Sequence, residues 1–174
     1  MKALGIDPGL RNVGLAILEM GGFEIRCVKA ALVTSKLDKK KKAAENDQQT
    51  YNNIIETVQR TIEENKVDIV AIEQYSPFAA RKSGAKIATV FGILYSLCKM
   101  LPVQIKIYRS LDLHRYYRTN GDKELLESVL CHAFPGLETA LNALPKKMRE
   151  HVADAAGHAG MALLETKQDT THPE

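Results

Sequence analysis

Three acidic residues stand out by placement rather than by type. Asp7 closes the short apolar run Ala3–Asp7, directly before the turn-forming pair Pro8-Gly9. Glu73 likewise ends the apolar run VDIVAIE, Val67–Glu73. A carboxylate at the C-terminal end of a strand sits at the rim of an open α/β sheet, where such sheets bind ligands. Asp154 lies inside the small-residue stretch HVADAAGHA, His151–Ala159, whose spacing predicts a helix packed closely on a sheet. A lone strand-end aspartate is usually a turn former, and a lone glutamate after a strand is usually solvated. Three such acids brought together would repel one another unless a cation sat between them. Oxygen donors of this kind suit Mg²⁺ or Mn²⁺. His151 precedes Asp154 by three residues and shares its helix face, within reach of the same ion or of a water beside it. His158, four residues after Asp154, can share that face too and is assigned a supporting or structural role.

The elements that must carry these residues follow from periodicity. Ala3–Asp7, Val13–Met20 and Phe23–Val33 read as strands, with Gly21-Gly22 as a hairpin turn. The polar segment Ser35–Asp47, with the run Lys39 to Lys42, reads as a mobile loop leading into a helix over about Ala43–Asn65. Val67–Glu73 is apolar on both faces, as a covered central strand requires. A helix over about Ser83–Met100 and a strand at Val103–Tyr108 follow. Arg109–Gly121 is polar, aromatic and basic, and a helix spans about Lys123–His132. A loop holding Pro135-Gly136 and Pro145 leads to the last helix, about Lys146–Glu165. Three strands, then alternating helices and strands, predict an α/β fold. Its mixed five-stranded sheet has its first three strands antiparallel and helices on both faces. We expect one domain over residues 1–166 and a disordered tail over 167–174.

Composition narrows the function classes. The chain has 174 residues, 45% hydrophobic and 26% charged, as soluble globular proteins do. Its most apolar stretch, Ile87–Cys98, is too short for a bilayer and carries Thr89, Gly92 and Ser96. An aspartate at position 7 breaks any signal-peptide pattern, so a cytoplasmic protein is expected. Cys27, Cys98 and Cys131 are too scattered for a disulfide framework or a CxxC site, and read as small buried hydrophobes. The net charge of +3 is unevenly spread: residues 76–123 hold nine basic and two acidic side chains, residues 124–174 four basic and eight acidic. A basic middle suits a phosphate backbone, although many solvated surfaces share such a bias.

Three segments carry a resemblance. GIDPGLRNVGLAI, Gly5–Ile17, resembles the first motif of the RuvC family of Holliday-junction resolvases. IVAIEQ, Ile69–Gln74, is similar to the second, and HVADAAGHA to the last. The resemblance implies a ribonuclease-H-like fold and a nuclease site in which Asp7, Glu73 and Asp154 are catalytic metal ligands. His151 falls on the fourth position, often an aspartate. It implies two Mg²⁺ per site, replaceable by Mn²⁺, and hydrolysis leaving 5′-phosphate and 3′-hydroxyl ends. It further implies a homodimer making symmetric nicks in a four-way DNA junction, and a branch-migration helicase as a further partner. Lys123 resembles a DNA-facing lysine of that family, and Tyr75 or Phe78 the aromatic at the junction centre. Arg81, Lys82, Lys86, Arg115 and Arg118 are further candidates for holding phosphates.

Two other readings compete. A YqgF-like RNA nuclease shares the GIDPG start but is typically shorter and lacks a long basic middle. A non-catalytic nucleic-acid-binding module would not need the acids. A sugar-kinase-like ATPase is disfavoured, because the chain is too short for a two-lobed ATP fold and has no phosphate-binding glycine loop.

Overall fold

The computed structural model describes residues 1–74 and 84–171. Five strands form one sheet: β1 (Lys2–Asp7), β2 (Asn12–Gly21), β3 (Glu24–Thr34), β4 (Ile69–Glu73) and β5 (Gln104–Tyr108). Their order is β3-β2-β1-β4-β5. The first three strands pair antiparallel, while β4 runs parallel to β1 and to β5, as expected for a mixed sheet. Six described helices accompany them: α1 (Ala43–Asn65), α2 (Gly84–Lys99), α3 (Ser110–Tyr116), α4 (Lys123–Ala133), α5 (Leu137–Asn142) and α6 (Lys146–Thr171). None is long and apolar enough to cross a membrane.

The alternation of strand side chains separates two cores. Leu4 and Ile6 of β1 and Val70 and Ile72 of β4 pack with Ile54 and Val58 of α1 and Val90 and Leu94 of α2. Ala3 of β1 and Ile69 and Ala71 of β4 face the other way, towards Val152, Ala155, Ala156 and Ala159 of α6. The small residues let α6 lie almost on the backbone of the sheet. A Cβ added to Gly5 would stand 1.7 Å from the Ala155 carbonyl oxygen, and one at Gly14 would stand 2.0 Å from that of His151.

Several expectations are corrected. Arg109–Gly121 is not wholly irregular, because Ser110–Tyr116 forms α3. The loop between α4 and α6 contains the six-residue α5. Both helices are too short for apolar spacing to declare itself. The tail is helical through Thr171, five residues into the stretch expected to be disordered. Cys98 is buried, but Cys27 and Cys131 are only partly so. The lysine run before α1 is tied down by Asn46, whose side-chain amide donates to the carbonyls of Asp38, Lys41 and Lys42.

Candidate metal centre

Asp7 and Glu73 come together through strand parity and register. Asp7 has the parity of Ala3 and Gly5, and Glu73 that of Ile69 and Ala71, so both carboxylates leave the sheet on the face that α6 covers. Parallel pairing sets Gly5 beside Ala71 and Ile6 beside Ile72, which puts the two strand ends at one edge of the sheet. The small residues of α6 then carry Asp154 onto that edge. One carboxylate oxygen from each of Asp7, Glu73 and Asp154 lies within 4.8 Å of the others.

Burial and mutual repulsion dominate the electrostatics. Desolvation, with the charges of Asp7 and Asp154 behind it, pushes the Glu73 carboxyl up to about 9. Desolvation and the charge of Asp7 push Asp154 up to about 7. The ammonium of Lys123 works against both shifts. A partly buried set of oxygen donors, two of them held against ionisation, fits a hard divalent cation, whose charge would remove the repulsion.

His151 stands outside that mutual set of three. Its Nδ1 instead meets Asp7 Oδ2 at 2.5 Å. Hydrogen bonding to Asp7 raises its pKa against the opposing pull of burial. A ring nitrogen facing a carboxylate donates, so Nδ1 carries the proton and Nε2 is the ring atom left for an ion or a water.

The sequence comparisons decide the relationship. The family described as crossover junction endodeoxyribonuclease RuvC matches residues 3–123. The chain belongs to the RuvC family. A RuvC named crossover junction endodeoxyribonuclease from Campylobacter hominis is 35% identical over 117 residues, 61% of this RuvC-family chain and 68% of that protein. The structure of Thermus thermophilus RuvC superposes with a TM-score of 0.69 at 19% identity, covering 95% of this chain and 98% of that one. T. thermophilus RuvC in complex with Holliday junction substrate gives 0.66 at 17%, covering 91% and 90%. At these identities the structural likeness speaks for the fold, which is the ribonuclease-H-like α/β fold expected. The matched span contains Asp7 and Glu73 and ends at Lys123, so Asp154 and His151 lie beyond it and reach those residues only through the tertiary structure.

The candidate phosphate contacts divide. Tyr75, Phe78, Arg81 and Lys82 lie outside the described residues. Lys86, in the first turn of α2, donates to Asp47 at 2.6 Å. Arg115 is exposed on α3, and Arg118 is exposed in the turn after it with a left-handed φ of 56°. That turn is anchored by buried Thr119, whose hydroxyl meets Nδ1 of His114 at 2.6 Å. Asp122 caps α4 by accepting from the Leu125 amide, which sets Lys123 at the first helical position. His158 is fully buried and stacks on Tyr108, and its environment pushes its pKa down to about 4, chiefly by desolvation. The structure adds Glu150 to the residues beside the cluster, through its pair with Lys123. Its signal was present, since Glu150 and Asp154 are four residues apart and so share a helix face.

Proposed function

We propose that this RuvC-family chain is a divalent-metal-dependent endonuclease that resolves four-way DNA junctions, the activity for which its curated relatives are named. The observation that carries the reading is the convergence of Asp7, Glu73 and Asp154 at one sheet edge. Those three carboxylates would hold the metal, with His151 beside them. When bound, divalent ions, two Mg²⁺ in this reading, would supply activation of the attacking water and stabilisation of charge on the leaving 3′ oxygen. The protein's own groups do the rest. His151 fixes the orientation of Asp7 through Nδ1, which leaves Nε2 available to an ion or a water. Lys123, Arg115 and Arg118 hold phosphates and position the strand without reading its sequence. Lys86, in α2, and Tyr75, Phe78, Arg81 and Lys82, which lie outside the described residues, are further candidates for contact with the DNA. Symmetric nicks in opposite strands require two such sites related by a two-fold axis, hence a homodimer. A branch-migration helicase is the natural further partner.

The RNA-processing alternative is not favoured, because the family and the curated relatives are named as endodeoxyribonucleases. The test is cleavage of a four-way junction with Mg²⁺ or Mn²⁺ by the wild-type chain and by Asp7→Asn. Loss of a direct ligand should cost more than the roughly 100-fold that losing an outer partner costs. A variant that cut as fast as the wild type would overturn the site.

A further inference from the structure

A groove of about 410 Å³ runs between the N-terminal ends of α4 and α6 and reaches Asp154, the helical member of the metal site. Lys123, Glu124 and Glu127 of α4 line one wall, and Lys146, Lys147 and Glu150 of α6 the other. Two ion pairs cross it in opposite senses. Lys123 on α4 bonds Glu150 on α6, and Glu124 on α4 lies 3.9 Å from Lys146 on α6. All four side chains are exposed, with relative accessibilities between 44% and 92%. Ion pairs so open to water are weak, and a competing anion can take either ammonium group at little cost. Asp154 lines the same groove as Lys123, so an anion held by Lys123 lies beside the carboxylate cluster.

We propose that this groove is a phosphate track for one DNA strand, whose lysines are occupied in the free protein by its own carboxylates. Glu150 and Glu124 occupy on Lys123 and Lys146 the places that two backbone phosphates take in the complex. The proposal rests on the DNA-nuclease reading above and goes beyond it. It assigns Lys146 and the two glutamates, and it gives the acidic part of the chain a role in substrate binding. A DNA strand is the occupant that fits, because the groove is continuous with the metal site and offers cations on both walls. A lone phosphate meets a tethered competitor at each lysine. A strand lying along the groove displaces both carboxylates at once, and its second contact is intramolecular. The track therefore favours a strand already seated at the carboxylate cluster.

The test is equilibrium binding of a fluorescent four-way junction and of a linear duplex, over a salt series and without divalent cations so that nothing is cut. The full chain is compared with Glu124→Gln/Glu150→Gln, with Lys123→Gln/Lys146→Gln, and with all four changes together. The glutamate variant should bind about two- to fivefold more tightly, the range expected for releasing two exposed pairs. The lysine variant should bind more weakly, and its slope of log affinity against log salt should be shallower by about 1.8, roughly 0.9 for each phosphate contact. In the quadruple variant the gain from the glutamate changes should vanish. A gain of equal size without the lysines would show the glutamates acting only as general negative charge and would overturn the proposal. So would an unchanged slope in the lysine variant. Because both DNAs are used, preference for the junction tests the resolvase reading, while coupling between the glutamate and lysine changes tests the track.

Discussion

His151 Nδ1 and Asp7 Oδ2 lie 2.5 Å apart, although 144 residues separate them in the chain. The contact ties the second turn of α6 to the end of β1 and orients one carboxylate of the candidate cation site. His151→Ala should slow single-turnover junction cleavage by about 10- to 100-fold, the usual cost of losing a partner that orients a ligand. Junction affinity measured without divalent ions should stay within about twofold of wild type, because His151 positions Asp7 and carries no phosphate. His151→Asp should recover more rate than His151→Ala, since a carboxylate can serve the same cation.

The metal-free protein should lose stability as pH rises from about 4.5 to about 9. Glu73 in the folded chain holds its proton up to about 9, against an ordinary value of 4.5. Asp154 behaves likewise up to about 7 from 3.8. A group whose folded pKa is raised contributes stability below its unfolded pKa that is lost as pH climbs through the folded one. Thermal melts in EDTA should therefore fall across this window, and Mg²⁺ or Mn²⁺ should reverse the fall. Glu73→Gln should flatten the profile and raise the metal-free melting temperature at pH 8 by roughly 3–6 °C. A flat wild-type profile would refute the repulsion assigned to this site.

His158 should act in the opposite sense on the acid side. Its folded pKa is depressed by desolvation to about 4, below the ordinary 6.5 of histidine. The folded state thus binds fewer protons than the unfolded one between those values, and stability must drop as pH falls through that window. His158→Leu removes the titrating ring from a fully buried position. It should abolish that acid limb, so that the variant is more stable than wild type at pH 4.5. Melting curves at pH 4.5 and 7.5 decide the matter.

Gly5→Ala and Gly14→Ala should damage the site without touching a ligand. Each new methyl group would press on a backbone carbonyl of α6, at 1.7 Å from Ala155 and 2.0 Å from His151. The helix must lift, and overpacking of this kind costs about 1–3 kcal/mol or more. Because α6 carries His151 and Asp154, Mn²⁺ affinity should fall together with the melting temperature. Gly92→Ala, at a helical glycine with nothing near its Cβ position, should leave metal affinity unchanged.

Much of this was legible before any tertiary structure. The apolar runs already placed Asp7 and Glu73 at strand ends. The five strands and the helices α1, α2, α4 and α6 followed from local spacing, because long elements repeat their apolar pattern several times. The seven-residue α3 and six-residue α5 did not, because each is about two turns long and owes its place to what it packs on.

What the sequence by itself determined was therefore the chemical inventory and its carriers: two strand-end carboxylates, an aspartate on a small-residue helix, and a basic middle. Tertiary structure decided how they meet. It set α6 down on Gly5 and Gly14, turned His151 towards Asp7 instead of into the set of three carboxylates, engaged Lys86 with Asp47, and closed Lys123 onto Glu150. The physical reason is one of range. Periodicity and turn chemistry act over a few residues and can be read along the chain. Contacts between elements depend on helix–sheet distance and on competition among many charges, and those exist only once the chain has packed.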